Sequence, residues 1–156
     1  MTHPDTHPNA FKLSLFIGHW TGSGQVFATP WGEATKCAGI WQFGFDRSGL
    51  NMIHDYQETR ENGSVFNGHG VFNIEPSTKD VIWFWFDSFG FPPFDPARGT
   101  WDLDKLVLMK ATPRGIGRST FVFTHNRFQY TVEAQPKGTE DFLPVMAGEF
   151  TKIRNA

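Results

Sequence analysis

The chain has 156 residues with 39% hydrophobic, 16% aromatic and only 19% charged side chains, a balance opposite to that of a disordered chain and a length that suits one domain. The formal net charge of -2, with no basic stripe, excludes nucleic acid as the expected partner, and the lone cysteine, Cys37, excludes an internal disulfide. No apolar run is long enough for a membrane helix and Met1-Thr2-His3-Pro4-Asp5 is not a signal peptide, so no membrane partner and a cytoplasmic location are expected.

In chain order, residues 1–8 read as a flexible polar leader carrying His3 and His7, ahead of a single domain over 9–156. A short helix is predicted over 9–16, with Asn9 as N-cap and Phe11, Leu13, Leu15 and Phe16 as its apolar residues; Gly18 ends it. Beyond Gly18, β-branched and aromatic runs alternate with turn signals. These include Thr29-Pro30-Trp31-Gly32, Asp46-Arg47-Ser48-Gly49, Asn62-Gly63, Pro76-Ser77-Thr78-Lys79 and Asn126-Arg127. The spacing predicts about ten strands, at 18–28, 34–45, 50–60, 64–75, 80–88, 98–102, 105–111, 117–125, 128–135 and 144–153. The fold class is therefore all-β, a closed antiparallel up-and-down barrel or a sandwich. The irregular segment 88–99, SFGFPPFDPARG, is apolar and stiff, which suits a lid or a plug.

Alternation along strands and even hairpin turns carry one face through the chain. The polar His19, Thr21, Ser23 and Gln25 face outward, so Trp20 faces in, with Trp41, Cys37, Phe43 and Phe45 on the next strand. Met52, His54 and Tyr56 follow. A two-residue Asn62-Gly63 hairpin puts His69 opposite Tyr56 and Val71 opposite His54, and then Ile82, Phe84 and Phe86 inside. Near the C-terminus Phe121, Phe123, His125, Phe128, Tyr130 and Val132 share the buried face. This register sends Phe66, Phe72, Trp83 and Trp85 outward, an apolar patch that a homodimer partner or the helix would cover. If one turn has odd length the faces exchange, and Asp55, Gln57, Trp83, Trp85 and Asp87 become cavity residues.

The segment Gly18-His19-Trp20-Thr21-Gly22-Ser23-Gly24 resembles the opening signature of lipocalin-like (calycin) barrels, and in its extended form that of nitrobindin-type barrels. Gly68-His69-Gly70-Val71-Phe72, Trp85-Phe86-Asp87-Ser88 with Gly90, and Gly99-Thr100-Trp101 resemble the bacterial family known as domain of unknown function 1579, over about residues 12–153. The resemblance implies a closed barrel of about ten strands with no agreed activity. It also implies that a basic residue of the last strand, Lys152 or Arg154, stacks on Trp20. Haem-binding relatives carry a ligating histidine in their last strands; 144–153 has none, which leaves His125, His54 or His69 as the axial ligand of a haem-binding alternative.

Motif by motif, the chemistry is sparse. There is no His-x-His, His-Glu-x-x-His, paired cysteine, Gly-x-Ser-x-Gly elbow or helix-leading glycine loop, so no metal and no cofactor is expected. The sequence points to a small apolar or aromatic ligand inside the barrel. Trp41, Phe43, Phe84, Phe86, Phe121 and Phe123 would supply contact area, while His54, Tyr56, His69 and Tyr130, with His125 beside them, would orient the ligand by hydrogen bonds. The alternative is a cofactor-independent isomerase, cyclase or lyase in which His54 or His69 is the base and Tyr56 the donor.

Overall fold

In the computed structural model, residues 12–93 and 95–154 are described. Ten antiparallel strands form a closed barrel: β1 (Gly18–Val26), β2 (Thr35–Phe45), β3 (Met52–Arg60), β4 (Val65–Ile74), β5 (Val81–Asp87), β6 (Ala97–Asp102), β7 (Lys105–Thr112), β8 (Gly115–Thr124), β9 (Arg127–Pro136) and β10 (Leu143–Arg154). Each strand pairs with its neighbours in sequence, and β1 closes the ring against β10, so the topology is up-and-down. Closure removes the free sheet edges that an open meander would expose. The predicted leader 1–8 lies outside the described residues, as does the start of the predicted helix. Where that segment is described it ends in one 3-10 turn, Ser14–Phe16, rather than a clear helix.

The turn delivers Phe16 into one end of the barrel as a plug. Its ring is fully buried, 4.8 Å from Phe43 and from Phe123, 5.0 Å from Phe121 and 5.2 Å from Phe72. Trp20 closes the same end: its indole N–H donates to the carbonyl of Phe16 at 2.8 Å, and the Lys152 ammonium lies 5.0 Å from its ring centre. Of the two basic residues expected over Trp20, Lys152 makes the contact.

Trp20 pairs with Trp41, the register that the four-residue turn predicts. Phe43 pairs with His54 and Phe123 with Phe128, which keeps the expected faces but makes the first of these turns two residues longer than 46–49 and moves the second from 126–127 to 125–126. The inward expectation fails over β4 and β5, for one local reason. Arg60 N–H donates to Ser64 O at 2.9 Å, so Glu61, Asn62 and Gly63 form a three-residue loop, with Gly63 at φ +84°. Glycine takes the left-handed position that this odd-length turn requires. Asn62 holds it by accepting the backbone N–H of Ser64 at 2.9 Å through its side-chain carbonyl. His54 therefore pairs with Gly70 and Asp55 with His69, and the faces of both following strands exchange. Trp83 and Trp85 point inward, so the expected dimer surface built on them does not exist in that form. Phe84 and Phe86, expected inside, lie outside and exposed. His69 is also outside, bonded to Asp55 at 2.7 Å. Asp55 and Gln57 stay on the outer face, contrary to the exchanged-register alternative.

Candidate functional site

The plug and the rings around it fill one half of the barrel. Above them Trp41 forms a floor, stacked on Phe43 at 5.2 Å and on Tyr56 at 4.3 Å, and edge-on to Tyr130 at 5.3 Å. Beyond this floor a cavity of about 630 Å³ runs to the opposite end. Its walls include Phe66, Trp83, Trp85, Tyr130 and Leu108, and its mouth is edged by Trp31, Phe89 and Phe91. The last three are largely exposed. The volume lies within the range of small-molecule sites.

The wall on β4 is thin because glycines stand there. A Cβ on Gly68 would meet the Trp85 ring at 2.1 Å, and one on Gly70 would meet His54 Nε2 at 2.2 Å. The bare backbone lets side chains from β3 and β5 cross over β4 and touch. Trp83 Nε1 donates to His54 Nε2 at 2.9 Å, while His54 Nδ1 lies 3.3 Å from the Met52 carbonyl. Nδ1 thus carries the proton and Nε2 accepts. Burial is the chief reason the His54 pKa falls from 6.5 to about 3, leaving the ring neutral.

At the upper end of β3 alternation continues past Tyr56 to Glu58 and Arg60. Glu58 is buried at 3% exposure yet accepts twice, from the Tyr56 hydroxyl at 2.8 Å and from Arg60 Nε at 2.8 Å. Paired and bonded in this way, a carboxylate tolerates an apolar wall. Burial, then the adjacent Glu58 charge, raises the Tyr56 pKa far above the usual phenol value, so Tyr56 is a fixed donor. Burial likewise raises that of Tyr130. Across β4, Asp87 accepts from Trp85 Nε1 at 3.1 Å and from the Phe89 backbone N–H at 3.0 Å, anchoring the start of the 88–96 segment at the cavity mouth. Cys37 is buried, and burial followed by the Glu58 charge pushes its thiol up to about 11. It is held as an inert thiol.

Of the residues expected in the site, Tyr56 and Tyr130 line the cavity. Trp41, Phe43, His54, Phe121 and Phe123 face inward but are buried in the packed part of the barrel. His69, Phe84 and Phe86 are outside, through the odd turn after β3. His125 is also exposed: it occupies the β8–β9 turn at φ +50°, where strand alternation no longer applies. No described histidine lines the cavity, and both nitrogens of His54 are engaged, so the described residues do not supply the axial histidine that a haem would take. Alternation alone was enough to reach Glu58 and Arg60, which follow Tyr56 at steps of two. Trp83, Trp85 and Asp87 required the correct turn length.

Fold and site together define a closed antiparallel barrel, plugged at one end and hollow at the other. No family model and no curated protein matches the chain in sequence. Solved structures match it in shape. Rv2717c from M. tuberculosis aligns with a TM-score of 0.72 at 14% identity, over 95% of this chain and 99% of that one. The S-type phycobiliprotein lyase CPES from Guillardia theta aligns with a TM-score of 0.66 at 9% identity, over 91% and 90% of the two chains. At these identities the likeness is one of fold. It supports the barrel and does not establish membership of the 1579 or nitrobindin-type families.

Proposed function

We propose that the barrel binds a small apolar or aromatic molecule in its open half. The observation that carries this reading is the cavity of about 630 Å³, walled by Trp83, Trp85 and Phe66 and furnished with the Tyr56–Glu58–Arg60 relay. Aromatic walls supply contact area, and a few fixed polar groups set orientation. Tyr56 and Tyr130 are the ligand contacts retained from the sequence reading; Trp41, Phe43, Phe121 and Phe123 support the floor. That a phycobiliprotein lyase has the same fold is consistent with a barrel adapted to small-molecule chemistry. Acid–base catalysis by His54 and His69 finds no support here, since one is locked in the core and the other is on the outer surface.

The test is a thermal-shift and tryptophan-fluorescence screen of the purified chain against aromatic and lipid compounds. A ligand present at about 100 times its Kd stabilises the folded state by about 2.7 kcal/mol through mass action. It also perturbs the emission of Trp83 and Trp85. A panel that raises the melting temperature with no compound, beside an interior that takes up no solvent-sized probe, would overturn the reading.

A further inference from the structure

The charged groups of the cavity differ in how far the protein satisfies them. Glu58 and Asp87 stand on β3 and β5, and each already accepts two hydrogen bonds from the protein. The strand order places the β7–β8 hairpin across the barrel from β3. That hairpin presents Lys110 from β7 and Arg114 from its turn to the same cavity. Neither forms an ion pair among the described residues: the Arg114 guanidinium lies 5.3 Å from the ring centre of Phe91, and Lys110 is half-buried. Glu33 also reaches the mouth, but from the β1–β2 connection, and it pairs with neither.

Four other basic side chains are paired with carboxylates. On the outer face of the same hairpin Arg118 makes a bidentate contact with Glu133, at 3.0 and 2.9 Å. Arg60, Arg98 and Arg127 likewise have carboxylate partners. Of the three basic residues that line the cavity, Arg60 has a carboxylate partner and Lys110 and Arg114 have none among the described residues. Beside Lys110, Gly117 leaves room: a Cβ there would meet only the Lys110 carbonyl, at 4.0 Å.

We propose that the ligand is an anionic aromatic molecule, its rings between Trp83, Trp85 and Phe66 and its acidic group seated between Lys110 and Arg114. A charge-assisted contact of this kind, partly removed from water, orients the ligand with its acid toward the mouth. The inference rests on the cavity reading above and adds the charge of the ligand and the residues that meet it.

A matched pair of probes separates the two claims. Anilinonaphthalene sulfonate and its uncharged parent, N-phenylnaphthylamine, differ by the acidic group alone, and both report binding by fluorescence. The sulfonate should bind about tenfold more tightly than the parent and weaken with added salt, while the parent should not respond to salt. The double variant Lys110→Met, Arg114→Gln should remove that preference and leave the parent's affinity unchanged. Gly117→Leu, which fills the space beside Lys110, should weaken both, with melting curves confirming that each variant is folded. A sulfonate that binds no more tightly than the parent, or a double variant that weakens both alike, overturns the anion seat and leaves the cavity reading standing. Binding of both probes that survives Gly117→Leu overturns the two readings together.

Discussion

The indole N–H of Trp83 donates to Nε2 of His54 at 2.9 Å, across a backbone position where β4 has no side chain. This bond requires a neutral imidazole acceptor, and burial is what keeps the ring neutral by lowering its pKa from 6.5 to about 3. In the unfolded chain the ring takes up a proton near its ordinary value. Between pH 6.5 and pH 3 the unfolded state therefore holds more protons, so stability is complete above 6.5 and declines as pH falls through that window. The effect is on the order of a few kcal/mol at the acid end. Urea denaturation at a series of pH values should show this decline, and His54→Gln should flatten it. The turn carboxylates Asp46 and Glu75 act in a different window. Their side-chain hydrogen bonds, chiefly to Ser48 and Ser77, lower both pKa values to about 2, so their contribution is lost only below the normal carboxylate range. A His54→Gln variant with an unchanged slope between pH 4 and 6.5 would remove the imidazole from this account.

Two glycines on inner faces predict opposite outcomes. At Gly70 a methyl group would lie 2.2 Å from His54 Nε2 and 2.7 Å from Trp83 Nε1, so Gly70→Ala must force apart the pair that crosses it. Overpacking combined with a broken buried hydrogen bond should cost about 2–4 kcal/mol. At Gly117 the same methyl group meets nothing closer than 4.0 Å. Gly117→Ala should fall within about 0.5 kcal/mol of the parent, or stabilise it by restricting the unfolded chain. Parallel denaturation curves for the two variants check the contrast, and equal destabilisation would mean that β4 does not lie against these rings.

Strand alternation carried the sequence reading a long way, and one turn limits it. The ten strands, the burial of Trp20, Trp41, Phe121 and Phe128, and the pairing of Trp20 with Trp41 follow from hydrophobic period and turn residues. The Asn62-Gly63 dipeptide marked the β3–β4 hairpin correctly but not its length. The same two residues serve a two-residue turn or, as here, the end of a three-residue loop, and parity decides which face of the next two strands is buried. The error placed His69 in the cavity and Trp83 outside it. A local signal for the other register was present in Gly68 and Gly70: strand glycines often mark a close approach by another group, and here they lie beneath Trp85, Trp83 and His54. The plug was less legible, because nothing local to Phe16 indicates that one ring enters the barrel end.

Glu58 tests the electrostatics of the cavity wall. Its side chain is 4% exposed and that of its ion-pair partner Arg60 is 28% exposed. Arg60→Ala leaves a buried carboxylate with only the Tyr56 hydroxyl as partner, which should cost about 2–4 kcal/mol. Glu58→Gln keeps an acceptor for Tyr56 and removes the buried charge, so it should cost less, about 1–2 kcal/mol. The double variant Glu58→Gln, Arg60→Ala should be more stable than Arg60→Ala alone, since it removes the orphaned charge. Chemical denaturation of the three variants and the parent checks the order. A double variant less stable than either single one would mean that Glu58 is not held in the wall by this pair.

Phe16 is the last residue before the barrel begins, save Ile17, and it contacts rings from β2, β4 and β8 at once. Because its ring is completely buried among rings that are themselves buried, Phe16→Ala opens a cavity that neighbours held in a closed barrel can only partly fill. The expected loss is about 3–5 kcal/mol, among the largest for any single truncation in the chain. Phe16→Leu, which retains most of the volume, should cost about half as much. The plug and the cavity lie at opposite ends, with Trp41 as the floor between them. At a temperature where Phe16→Leu is folded, its affinity for the neutral naphthylamine probe should therefore match that of the parent. Thermal melts beside a probe titration measure both quantities. A variant of normal stability would show that the turn does not plug the barrel, and a folded variant with weakened binding would show that the floor does not insulate the cavity from the core.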